Sequence, residues 1–60
     1  MNYKEIRKSF RLSQVEFAKE IGVTIGTYIN WERGVMQPNK ESQDKIDVCI
    51  ERLKAKEGGK

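Results

Sequence analysis

Residues 12–34, LSQVEFAKEIGVTIGTYINWERG, contain two helix starts with a glycine between them. Ser13 and Glu16 match a capping box, in which the hydroxyl accepts from the Glu16 amide and the carboxylate accepts from the Ser13 amide. Gly22 stands where a helix commonly ends in the left-handed conformation. Thr24 then caps a second helix. This stretch therefore predicts two short helices joined by a tight turn.

Helical spacing governs the rest of the chain as well, and no stretch sustains the alternation of a strand. A first helix covers about residues 2–9 and stops near Arg11, and the third helix ends at Gly34. The segment VMQPNKES is a loop that ends at a cap on Asn39, and a last helix follows at about 40–56. The apolar stripes of the first and last helices are Tyr3, Ile6 and Phe10, and Ile46, Cys49, Ile50 and Leu53. We predict an all-α fold, a small bundle of about four helices.

Sixty residues with 37% hydrophobic content make one domain with a small core. We expect a folded domain at residues 1–57 and a disordered C-terminal tail at 58–60. The chain has no apolar run of membrane-spanning length and no signal-peptide pattern, so we expect a cytoplasmic protein without membrane contact. The net charge of +3 is a weak indication of a polyanionic partner.

The third helix has two opposite faces when each residue advances about 100° around its axis. One face contains both aromatic residues, and we expect it to be buried: Thr24, Thr27, Tyr28 and Trp31. The hydroxyl of Tyr28 is expected to reach solvent or a phosphate. The opposite face combines apolar, amide and cationic residues where an isolated domain would show Lys and Glu: Ile25, Gly26, Ile29, Asn30 and Arg33. We expect this outer face to contact a partner.

The patterns LSQ.EFA..IGV and NWERG...P resemble the helix-turn-helix motif of the phage repressor and Cro (XRE-like) family of DNA-binding domains. The match extends from about Ile6 to Pro38 and rests on Gln14, Phe17, Ala18, Ile21, Gly22, Val23, Tyr28 and Trp31. The resemblance implies a lambda-repressor-like fold with the motif in the second and third helices. It also implies that the third helix, at about 24–33, lies in the major groove of double-stranded DNA.

Several positions of this sequence match functional residues of the family. The residues expected at base edges are Ile25, Gly26, Ile29 and Asn30. The residues expected at the DNA backbone are Gln14, Thr24, Arg33, Asn39, Lys40 and Arg11. Arg7 and Glu32 match a structural ion pair. Since Asn pairs with adenine through two hydrogen bonds and isoleucine suits thymine methyl groups, we expect an A/T-containing site.

The resemblance implies a phage or bacterial transcriptional regulator, a repressor, that binds a pseudo-palindromic operator as a homodimer. Candidate dimer contacts are Val35, Met36, Val48 and Ala55. A second hypothesis is a protein-interaction module, such as an antitoxin-like or phage-encoded inhibitor, that uses the same face of the third helix. RNA binding by the same basic surface is a third possibility.

The residue types do not indicate a catalytic site, a cofactor site or a metal site. Histidine is absent and Cys49 is the one cysteine, so neither a disulfide nor a zinc site is expected. Cys49 lies on an apolar stripe and is expected to be a buried small hydrophobe. Glu16 and Glu32 are explained by a cap and an ion pair, which leaves no acid/base pair. We therefore expect no enzyme activity, no cofactor, no metal and no small-molecule ligand.

Overall fold

The computed structural model of the protein describes residues 2–58, which form four helices and contain no strand. The helices are α1 (Tyr3–Ser9), α2 (Gln14–Ile21), α3 (Ile25–Arg33) and α4 (Lys40–Gly58). The predicted all-α fold of about four helices is confirmed. α4 continues beyond its predicted end, so that Gly58, expected to begin a disordered tail, is the last residue of this helix. Residues 59–60 of the expected tail lie outside the described residues.

Local hydrogen bonds set the ends of α2 and α3. The Ser13 hydroxyl accepts from the Glu16 amide at 3.1 Å, and the Glu16 carboxylate accepts from the Ser13 amide at 2.8 Å, which confirms the capping box. Gly22 ends α2 with a φ of 96°, in the left-handed region that favours glycine. The Thr24 hydroxyl accepts from the Thr27 amide at 3.3 Å and caps α3. The tight turn between the two helices therefore follows from chemistry within the segment itself.

Asparagine side chains cap the two outer helices. Asn2 accepts from the Glu5 amide at 3.1 Å at the start of α1, and Asn39 accepts from the Ser42 amide at 2.9 Å at the start of α4. The end of α1 is less usual, because Arg11 has a φ of 59° without being a glycine. A left-handed backbone costs a residue with a β-carbon about 1–2 kcal/mol. Arg11 is therefore a strained position in the connection between α1 and α2.

Side chains from all four helices form a single core. Its buried members are Tyr3, Phe17, Ala18, Ile21, Tyr28, Trp31, Ile46, Cys49 and Leu53, and half-buried Ile6, Phe10, Leu12, Val23 and Ile50 pack against them. The predicted apolar stripes of α1 and α4 thus face the core. Cys49 is 1% exposed, which confirms that it is buried.

Candidate nucleic-acid interface

The orientation of α3 is fixed by two aromatic side chains on its inner face. Tyr28 meets the Phe17 ring edge-to-face with centroids 5.3 Å apart, and it meets Trp31 at 6.4 Å. Trp31 also lies 6.4 Å from the ring of Tyr3 on α1. Both α3 aromatics are buried, as predicted, but Thr24 is exposed. Thr24 precedes the helix as its cap, so the helical angle does not apply to its side chain.

A polar cluster around Glu32 ties α3 to α1 and α2. One carboxylate oxygen accepts from Arg7 Nε at 2.9 Å and from the Tyr28 hydroxyl at 2.6 Å, and the other accepts from Gln14 Nε2 at 3.0 Å. Arg7 also donates to the backbone carbonyl of Leu12 at 2.9 Å. The side chains of Arg7 and Glu32 are only 12% and 8% exposed. The cluster is therefore structural, and it fixes the angle at which α3 is held.

The pKa values of this cluster favour an ion pair beside a neutral tyrosine. Burial alone would raise the pKa of Glu32, but hydrogen bonds from Tyr28, Arg7 and Gln14, together with the charge of Arg7, bring it below its ordinary value. The hydrogen bond to Glu32 raises the pKa of Arg7. Burial, and then the Glu32 carboxylate, raise the pKa of the Tyr28 hydroxyl. The hydroxyl was expected to reach solvent or a phosphate, but it donates to Glu32 instead.

None of the residues expected on the outer face of α3 is fully buried. Ile25 is 37% exposed, Gly26 and Arg33 are exposed, and Ile29 and Asn30 are half-buried. The Asn30 amide nitrogen lies 3.7 Å from the sulfur of Met36, which is a weak acceptor. Asn30 is only half-buried, so its amide can exchange this weak contact for a stronger acceptor.

Two of the residues expected at the DNA backbone already have internal partners. Gln14 uses one N–H of its amide for Glu32, which leaves the second N–H and the amide oxygen for other contacts. Thr24 donates its hydroxyl to the Thr27 hydroxyl at 2.9 Å and accepts from the Thr27 amide. Both residues stand at the beginning of a helix, where unpaired backbone amides and the helix dipole favour an anion.

The remaining residues expected at the DNA backbone are exposed. Arg33 is in the last turn of α3, while Asn39 and Lys40 are the cap and the first residue of α4. Arg11 lies in the left-handed connection after α1. The structure therefore presents four polar or cationic side chains to solvent: one in α3, two at the start of α4 and one after α1.

A family model described as helix-turn-helix matches residues 4–46, which is more than half of the chain. The chain belongs to the helix-turn-helix family. No curated protein and no solved structure matches it significantly. As a member of this family it is a DNA-binding regulator of the XRE type, and its partner is double-stranded DNA. The motif corresponds to α2, the turn at Gly22 and α3.

Residues 2–58 contain no group of His, Cys, Asp and Glu side chains that could hold a metal ion. Of the described helices, none has both the length and the apolar character needed to cross a bilayer.

Sequence reasoning missed two members of the Glu32 cluster. Tyr28 precedes Glu32 by four positions, a spacing that places two side chains side by side on a helix and could have indicated their hydrogen bond. Gln14 lies on another helix and offers no comparable local pattern. Its contact with Glu32 depends on how α2 and α3 cross.

Proposed function

We propose that the protein is a sequence-specific transcriptional repressor that inserts α3 into the major groove of double-stranded DNA. The observation that supports this proposal is the division of α3 into two faces. The inner face is held by aromatic contacts and the Glu32 cluster, and the outer face has no fully buried residue. A helix held in this way enters the groove without reorganising the domain. Binding then does not require an additional ordering step.

The outer face offers contacts to base edges through four residues, Ile25, Gly26, Ile29 and Asn30. The amide of Asn30 can donate to adenine N7 and accept from its N6 amino group. Ile25 and Ile29 can contact the methyl groups of thymines. The preferred half-site is therefore expected to contain adenine and thymine at neighbouring positions.

The DNA backbone is contacted, in this proposal, from both sides of α3. Gln14 and Thr24 present helix N-termini to phosphates, and Arg33, Asn39 and Lys40 contact the backbone beyond the end of α3. Arg11 adds a charge from the connection after α1. Each phosphate neutralised by a cation releases counterions, so affinity should fall as the salt concentration rises.

The protein acts as a homodimer on a pseudo-palindromic operator in this proposal. Half-sites in such complexes lie about 34 Å apart, one turn of DNA. Val35, Met36 and Val48 are large apolar side chains that are 64%, 52% and 63% exposed, and Ala55 is exposed as well. Exposed apolar side chains of this kind suit a contact between subunits.

The decisive experiment is selection from a random duplex DNA library, followed by titrations of the selected site at several salt concentrations. We expect a pseudo-palindromic site with A/T positions. Asn30→Ala should relax the preference at one base pair and cost about 1–3 kcal/mol of binding free energy. Lys40→Ala should weaken binding to all sequences alike and reduce the salt slope by about one. Recovery of no enriched sequence would contradict the proposal.

A second candidate function is a protein-interaction module that uses the same face, for which the exposure of Ile25 is the specific observation. Apolar residues suit the desolvated centre of a protein interface. The double variant Ile25→Lys and Ile29→Lys separates the two functions. This variant should no longer form a complex with a partner protein. Its non-specific affinity for DNA should stay the same or increase, because the two lysines add positive charge. If a partner protein still bound this variant, this second function would be excluded.

A further inference from the structure

Gly26 has no explanation within the protein itself. It is the second residue of α3, it is exposed, and a β-carbon on it would have no atom within 4 Å outside its chain neighbours and the backbone of its own helix. Gly22 and Gly34 differ, because their φ values of 96° and 77° lie in the left-handed region. Gly26 is not among the residues with positive φ. Alanine would therefore fit the folded protein at this position.

A glycine inside a helix weakens the fold. In the middle of a helix it costs about 0.5–1 kcal/mol relative to alanine, so Gly26, in the first turn of α3, costs at most about a fivefold change in the unfolding equilibrium constant. Nothing packed within the domain compensates for this loss. Glycine is the usual residue where a backbone approaches a ligand closely, and no contact within the domain requires a glycine at this position.

The neighbours of Gly26 indicate what approaches. Ile29 and Asn30 follow it by three and four positions, so their side chains lie next to it on the same face of α3. Ile25 precedes it and is exposed. The open space over Gly26 therefore lies next to one isoleucine, Ile29, and one amide, Asn30. Asn is the shorter of the two amide side chains that pair with adenine, so it requires a short distance between the helix and the base.

We propose that Gly26 lets α3 approach the floor of the major groove at van der Waals distance, and that the methyl group of a thymine occupies the space over Gly26. This inference rests on the proposed DNA-binding function. A β-carbon at position 26 and the thymine methyl group would compete for the same volume. Gly26 therefore sets both the depth of α3 in the groove and the preference for thymine at one position.

The first test compares the stability and the DNA affinity of Gly26→Ala. Unfolding in urea should show an equilibrium constant that is smaller than that of the natural chain, by up to about fivefold. Affinity for the selected site should nevertheless fall at least tenfold. The gain in stability excludes unfolding as the reason for the lost affinity. An affinity within twofold of that of the natural chain would overturn the inference.

The second test removes methyl groups from the DNA. Each thymine of the selected half-site is replaced in turn by deoxyuridine, which lacks only the methyl group. For the natural chain, one replacement should cost about fourfold in affinity, the value of one buried methyl-sized group. At that same position, Gly26→Ala should bind deoxyuridine more tightly than thymine, because its β-carbon fills the vacated space. This reversal at one position is the signature of the proposed contact.

The outcomes separate this inference from the function on which it rests. If the chain selects no sequence, both proposals are wrong. If it selects a sequence but deoxyuridine has the same effect on the natural chain and on Gly26→Ala at every position, only the role of Gly26 is wrong. Circular dichroism at the temperature of the binding assay confirms that both proteins are folded.

Discussion

Replacement of Glu32 by glutamine removes one negative charge from the cluster that holds α3, while it nearly preserves the shape of the side chain. The carboxylate accepts three hydrogen bonds of 2.6–3.0 Å, and its ion pair with Arg7 is largely buried. A hydrogen bond to a charged group contributes about 1.5–3 kcal/mol, and glutamine keeps one of the two accepting oxygens. Arg7 retains the Leu12 carbonyl as a partner. We therefore expect Glu32→Gln to lose about 2–3 kcal/mol of unfolding free energy.

A loss of this size is large for a domain of this length. About 0.05–0.15 kcal/mol per residue corresponds to about 3–9 kcal/mol for the whole chain. Urea denaturation followed by circular dichroism at neutral pH should show a clearly lower midpoint for Glu32→Gln. Glu51→Gln is the matched control, because Glu51 is an exposed carboxylate on α4. Its midpoint should change by less than the equivalent of about 0.5 kcal/mol.

The pH dependence gives an independent measure of the same cluster. Since the pKa of Glu32 is lower in the folded state than its ordinary value of 4.5, its stabilisation is complete above that value. It is lost as the pH falls through the lower, folded pKa. The difference in stability between the natural chain and Glu32→Gln should therefore shrink as the pH falls below about 4.5. A difference that is constant from pH 7 to the acid limit, or a loss no larger than that of Glu51→Gln, would refute the role assigned to Glu32.

Three further predictions concern single positions outside the outer face of α3. Ser13→Ala removes the cap of α2 and should lower the unfolding free energy, measured by urea denaturation, by about 1 kcal/mol. An unchanged urea midpoint would contradict the capping role. Arg11→Gly relieves the left-handed backbone, and should raise stability by about 0.5 kcal/mol after the entropy of glycine in the unfolded chain is subtracted. A thermal midpoint that falls would show that the Arg11 side chain stabilises the fold. Cys49 should react slowly with an aromatic disulfide reagent, because burial raises the pKa of its thiol. The reaction rate should increase with urea concentration. Rapid labelling of the native protein would contradict the burial of Cys49.

The helices and their order could be predicted because their determinants are local. Ser13 and Glu16 interact across three positions, and Gly22 and Gly34 adopt the left-handed conformation at helix ends. These interactions form within one or two turns of a helix, so the sequence contains all the information needed. The inward orientation of Trp31 followed from helical spacing in the same way.

Three features could not be predicted from these patterns: a contact between helices, the burial of a loop residue and a left-handed residue that is not glycine. The contact between Gln14 and Glu32 joins two helices, and nothing in the spacing of either helix indicates it. Pro38 is buried although it lies in the loop before α4, where proline normally marks an exposed turn. Arg11, just after the end of α1, has a conformation that sequence rules assign to glycine. The DNA contacts of the outer face remain predictions, since they depend on a partner as well as on the chain.

The separation of the two faces of α3 has a consequence for engineering. Tyr28, Trp31 and Glu32 attach α3 to the domain from one side, while Ile25 is exposed and Asn30 is half-buried on the opposite side. Exchanging the outward side chains should therefore leave the melting temperature nearly constant while it changes which operator is bound. Libraries randomised at these outward positions would then yield variants that differ in target but share one scaffold.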